Sequence, residues 1–141
     1  MSKKPKLTRS EIMRRIRSKD TRPEISLRKK LYWLGFRYRL HQKSIPGTPD
    51  FFILKHKVAI FVNGCFWHGH GCAYSSVPKT NTDFWTGKFN RNSARDMVTL
   101  HKLKNEGIRA ALVWECSLRR EAEVLERLEA FIRSDEPFLE I

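Results

Sequence analysis

The sequence predicts a three-layer α/β domain built on a mixed central sheet. Three observations carry that reading. The apolar runs Val58 to Val62 and Ile108 to Trp114 are long enough for strands covered on both faces. Between and around them lie segments with helical spacing and helical caps, in the order helix, helix, three strands, helix, strand, helix. At 141 residues, with no internal repeat, low-complexity segment or linker, the chain has the size of one domain.

At the N-terminus, residues 1–8, with Lys3, Lys4 and Lys6 around Pro5, read as a flexible basic arm. Thr8-Arg9-Ser10-Glu11 is a capping-box pattern and predicts a helix to about Ser18. Thr21-Arg22-Pro23-Glu24 repeats the pattern and predicts a second helix to Leu34, stopped at Gly35. Glu24 shares the face of Leu27 and Leu31 on that helix. By spacing alone it is first a capping glutamate and second a carboxylate at the edge of the core.

Phe36 to Leu40 alternates and predicts a strand. The turn-rich stretch from Ser44 to Pro49 then delivers Asp50 to a strand over Phe51 to Leu54. Lys55-His56-Lys57 makes a polar turn into Val58 to Val62, so the hairpin brings Asp50 near the residues just after Val62. Residues 73–82 read as loop. Asp83 to about Glu106 reads as helix, interrupted near Asn90 and stopped by Gly107. Glu121 to Arg133 reads as an amphipathic helix with Val124, Leu125, Leu128, Phe131 and Ile132 on one side.

Charge is the outstanding bulk property. There are 28 Lys+Arg against 15 Asp+Glu, a net charge of +13. Residues 118–141 hold 4 basic and 7 acidic residues, so the excess lies in the first 117. Such an excess points to a polyanionic partner, nucleic acid before an anionic membrane. No stretch approaches the ~18 apolar residues of a membrane span, and no apolar signal core comes after the N-terminal lysines. The expectation is an intracellular, nucleoid-associated protein. Its three cysteines would then be reduced, which leaves metal binding as their economical use.

The densest chemistry in the chain comes directly after Val62 and Asn63: Gly64-Cys65-Phe66-Trp67-His68-Gly69-His70-Gly71-Cys72. Cys65, His70 and Cys72 can share one ion, and Cys116, just past the strand ending at Trp114, can supply the fourth ligand. Three thiolates and one imidazole suit tetrahedral zinc. Spacing alone leaves His68 as an alternative to His70. Lys88, Asn92 and Arg95 fall at i, i+4 and i+7, one polar helix face suited to DNA phosphates, or else a solvated basic face.

Taken together, these motifs resemble the very short patch repair (Vsr) DNA mismatch endonucleases. The resemblance is carried by Ile45-Pro46-Gly47-Thr48-Pro49-Asp50-Phe51 and by the run from Ile60 to Cys72. It extends to Phe84-Trp85-x-x-Lys88-x-x-x-Asn92-x-x-Arg95-Asp96 and Val113-Trp114-Glu115-Cys116. Met13-Arg14-x-Ile16-x-Ser18-x-Asp20-Thr21 and Pro23-Glu24 also fit, so it covers nearly the whole chain in order. It implies a restriction-endonuclease-like fold and a magnesium-dependent nick beside the thymine of a T·G mismatch, the product of 5-methylcytosine deamination. It implies that Asp50 holds magnesium with the backbone carbonyl of Val62, that His68 is the catalytic histidine, and that Glu24 is a supporting acid. It assigns Cys65, His70, Cys72 and Cys116 to structural zinc, and Phe66, Trp67 and Trp85 to a wedge entering the base stack. Where familiar members have Thr then His, this chain has Val62-Asn63, so one titratable group is missing.

The expected function is therefore a mismatch-specific nicking enzyme that starts short patch repair. It would act as a monomer on double-stranded DNA, linked in function to a cytosine-5 methyltransferase and to mismatch-repair proteins. Lys3, Lys4 and Lys6 would clamp the duplex. The alternatives are a restriction-associated nuclease of related fold and a non-catalytic zinc-containing DNA-binding protein.

Overall fold

The structure, a computed structural model, describes residues 22–65, 70, 72 and 79–141. The helix expected over Thr8 to Ser18, the lysines of the arm, Phe66, Trp67 and His68 lie outside the described residues. Five strands form one mixed sheet in the order β1-β2-β3-β4-β5. They are β1 Arg39–Leu40, β2 Phe51–Ile53, β3 Val58–Asn63, β4 Arg109–Trp114 and β5 Phe138–Glu140, with helices α1 Arg22–Trp33, α2 Thr82–Asn105 and α3 Glu121–Arg133. β1, β2 and β3 pair antiparallel, while β3, β4 and β5 pair parallel.

Strand alternation sorts the core into two layers. Phe51, Ile53, Val58, Ile60, Ala111 and Val113 face α1 and α3, meeting Leu27, Leu31, Val124, Leu128, Phe131 and Ile132. Phe52, Ala59 and Ala110 face the other way, against Leu103 of α2. β3, in the middle of the sheet, is covered on both sides, as its unbroken apolar run requires. Full burial of each large aliphatic side chain stabilises the fold by about 1.5–3 kcal/mol.

Three expectations need correction. β1 is two residues rather than five, because only Arg39 and Leu40 find partners, at Phe52 and Phe51. Phe36 is instead drawn into the core at the end of α1. α2 runs unbroken through Asn90, which sits on its exposed side where solvent and the helix ladder both serve it. β5 is an addition to the expected elements. Its three residues alternate exposed, half-buried, exposed, which leaves little hydrophobic signal. It is held by Arg109, whose guanidinium donates to the carbonyls of Phe131, Ile132, Ser134 and Glu136. One side chain thus satisfies the orphan carbonyls at the end of α3 and guides the chain into β5.

Candidate active site and metal centre

Asp50 stands where the chain enters β2. Behind it Gly47 takes φ 78, and a Cβ there would collide with the side chain of Thr99 on α2. Only glycine satisfies both constraints, so the turn-rich loop is pinned to α2 and aims Asp50 reproducibly. The Val62 N–H donates to Asp50 Oδ2 at 2.6 Å, tying the carboxylate to the end of β3. Burial pushes the Asp50 pKa up to about 7, aided by the negative charge of Glu24 and opposed by the Val62 N–H and by His41.

Glu24 completes the acidic pair. It is only 2% exposed on the core face of α1. A carboxylate in that position costs several kcal/mol unless it is paired, so the core gains nothing from it. Its Oε1 lies 3.3 Å from His41 Nε2 and 3.8 Å from the Arg28 guanidinium. Glu24, His41 and Asp50 each offer a ligand atom, and these atoms lie within 4.8 Å of one another. Sequence reasoning missed His41, although a signal existed. Leu40 pairs with Phe51, so the next residue must face Asp50, and the His41 N–H indeed donates to the Asp50 carbonyl at 3.2 Å.

Three residues beyond Val62 the second cluster begins. Cys65, His70, Cys72 and Cys116 likewise place four ligand atoms within 4.8 Å of one another. Cys116 Sγ sits 3.7 Å from His70 Nδ1. Two ligands on one tetrahedral zinc, with bonds near 2.3 and 2.0 Å, would be about 3.5 Å apart. The Cys116 N–H points at Cys65 Sγ at 3.4 Å, a donor that favours a thiolate. Burial, then the neighbouring sulfurs, push the Cys65 thiol up to about 12, so the pocket resists ionisation until a cation enters. Trp114 stacks on the His70 ring at 3.9 Å and 5°. Its indole N–H donates to Glu140 at 2.8 Å, and its backbone N–H donates to the carbonyl of Ile141 at 2.8 Å.

The parallel pairing explains why the clusters meet. Asn63 sits beside Trp114 in register, so the chain leaves β3 and β4 at the same sheet edge. The third aromatic expected in the wedge, Trp85, lies near the start of α2 and is 8% exposed, stacked on Phe89, while its neighbour Phe84 is 58% exposed. Lys88 Nζ lies 5.6 Å from the Trp85 ring centre. Because α2 is continuous, Lys88, Asn92 and Arg95 share one helix face; Arg95 is exposed and the other two are half-buried.

The mixed sheet thus carries an acid pair at the ends of its strands, beside a Cys/His cluster able to hold a metal. Residues 1–74 match the family described as DNA mismatch endonuclease Vsr. The chain is 40% identical over 132 residues to the DNA mismatch endonuclease Vsr of Escherichia coli K12, covering 90% of this chain and 85% of that one. It is 43% identical over 125 residues to a type II nicking enzyme of Neisseria meningitidis, covering 89% of each chain. To a type II nicking enzyme of Xanthomonas oryzae it is 46% identical over 110 residues, covering 78% of this chain and 81% of that one. The chain belongs to the Vsr DNA mismatch endonuclease family and is an endodeoxyribonuclease. Among the described residues no helix is long and apolar enough to cross a membrane.

Proposed function

We propose that the chain is a magnesium-dependent endonuclease of restriction-endonuclease-like fold that nicks one strand beside the thymine of a T·G mismatch. The nick would start repair of deaminated 5-methylcytosine. The observation that carries this reading is the meeting of buried Glu24 with half-buried Asp50 at the end of β3, where the Cys/His cluster begins. Carboxylate oxygens are the donors a hard divalent cation prefers, and burial, with Glu24 nearby, raises the Asp50 pKa to about 7.

In this reading Asp50 and the carbonyl of Val62 hold magnesium, with Glu24 supporting. The Val62 N–H keeps the Asp50 carboxylate oriented. When bound, magnesium polarises the scissile phosphate and stabilises the charge that develops on it. His68 takes the proton of the attacking water, a task suited to an imidazole near neutral pH. Zinc on Cys65, His70, Cys72 and Cys116 is structural and fixes the segment that carries His68. Phe66, Trp67 and Trp85 form the wedge. A mismatched step opens for less than a matched one, and stacking on an aromatic returns ~1–3 kcal/mol per base. Lys88, Asn92 and Arg95, with Lys3, Lys4 and Lys6 of the arm, contact phosphates. The enzyme acts as a monomer inside the cell, in the wake of a cytosine-5 methyltransferase and alongside mismatch-repair proteins.

A nicking assay on T·G, T·A and C·G duplexes, with magnesium or with EDTA, tests the reading. The expected result is one nick, on T·G alone, abolished by EDTA. Equal cutting of all three duplexes would instead identify a restriction-associated nuclease. Binding without cutting would identify a DNA-binding module.

A further inference from the structure

The proposed mechanism leaves one donor of the acidic site without a task. His41 sits at the end of β1, not on the segment from Gly64 to Cys72. It takes φ 44, a left-handed conformation that few side-chain-bearing residues adopt. Its backbone N–H is held by the Asp50 carbonyl at 3.2 Å, and its Nε2 reaches to 3.3 Å from Glu24 Oε1. The backbone is thus bent and anchored so that the imidazole enters the space between two carboxylates. The placement gives the buried Glu24 a partner beside Arg28. For a cation it makes a three-sided site with two oxygen donors and one nitrogen donor, all within 4.8 Å.

We propose that His41 is a direct ligand of the divalent cation held by Glu24 and Asp50, and that it shifts the metal preference of the site from magnesium toward manganese. The proposal rests on the metal-dependent mechanism and deepens it. Magnesium demands oxygen ligands and sheds water reluctantly. Manganese and the later divalent metals accept imidazole with increasing affinity. A site with a third, nitrogen side therefore binds manganese more tightly than its two carboxylates alone would.

The test uses zinc-saturated protein, so that the thiolate cluster is filled, and manganese as the probe. Electron spin echo spectroscopy of the manganese-loaded protein is expected to show imidazole nitrogen coupling. His41→Asn is the matched variant, because asparagine tolerates the left-handed conformation. It is expected to abolish the coupling and to weaken manganese binding roughly tenfold or more, with magnesium binding changed far less. Bound manganese with no nitrogen coupling, or coupling that survives His41→Asn, overturns the proposal while leaving the carboxylate site intact. Manganese binding indifferent to Asp50→Asn removes the carboxylate site itself, and the proposal with it.

Discussion

Two donor clusters meet at the end of β3, where Val62 holds Asp50 and Cys65 opens the other, yet they are built on opposite principles. Three donors of the thiolate cluster come from a segment of eight residues, Cys65 to Cys72, with Cys116 reaching in from beyond β4. The acidic cluster draws Glu24, His41 and Asp50 from three separate elements. The first is soft, and burial pushes its Cys65 thiol up to about 12. The second is hard, and it forces a carboxylate into a setting that raises its pKa to about 7. On the proposed reading the difference separates holding from cutting: a cluster that holds can be gathered locally, whereas a cluster that cuts is assembled by the fold from distant parts of the chain.

The largest expected effect lies at the acidic cluster. Asp50→Asn should lower the nicking rate by roughly a thousandfold or more while leaving the circular dichroism spectrum unchanged. An unchanged rate would remove Asp50 from the chemistry. At the thiolate cluster the sign of the comparison reverses. Cys116→Ser, or stripping of zinc, should lower the melting temperature by roughly 5 °C or more, with lost activity following lost structure. A variant with normal stability and no activity would make the thiolate cluster catalytic.

The third test sets stability against function in metal-free protein. The Asp50 pKa is raised from 3.8 to about 7 by burial, so the folded state prefers the protonated acid. The penalty is absent below the unfolded value, grows between the two, and is fully present above the folded one. Asp50→Asn should therefore raise the melting temperature in EDTA by about 5 °C at pH 8 and leave it unchanged at the acid end. A variant that is less stable at pH 8 would show the carboxylate to be structural. The smallest effect is expected at Glu140→Ala, which removes the acceptor of the Trp114 indole. At about 1 kcal/mol it should speed zinc release only a few-fold, without changing nicking at saturating zinc.

How much of the molecule was legible in its sequence differs between the two clusters for the same reason. Cys65 and Cys72 could be grouped from their spacing with either His68 or His70, the resemblance favoured His70, and Cys116 joined them by placing one strand beside another. The pairing of Asp50 with the end of β3 came from the hairpin. His41 escaped because the loop from Gln42 to Pro49 separates it from Asp50 and no periodicity links the two; only the Leu40–Phe51 pairing does. Glu24 was visible on the right face of α1, but spacing cannot tell a cap from a buried acid. β5 was illegible because it is short and is held by Arg109 and by parallel pairing with β4, with one of its side chains, Leu139, on the core. α2 lost its expected break because one exposed asparagine costs a long helix well under 1 kcal/mol.

Trp114 links the timing of synthesis to the thiolate cluster. The ribosome makes residues 138–141 after every donor of both sites, yet Trp114 is fastened by Glu140 and Ile141 while it backs the His70 ring. A growing chain therefore holds all its ligands before it can brace one of them. A chain stalled at residue 136 is expected to nick DNA far more slowly than the finished domain at limiting zinc. Equal rates would uncouple the two. The brace of the thiolate cluster is thus made after the cluster itself.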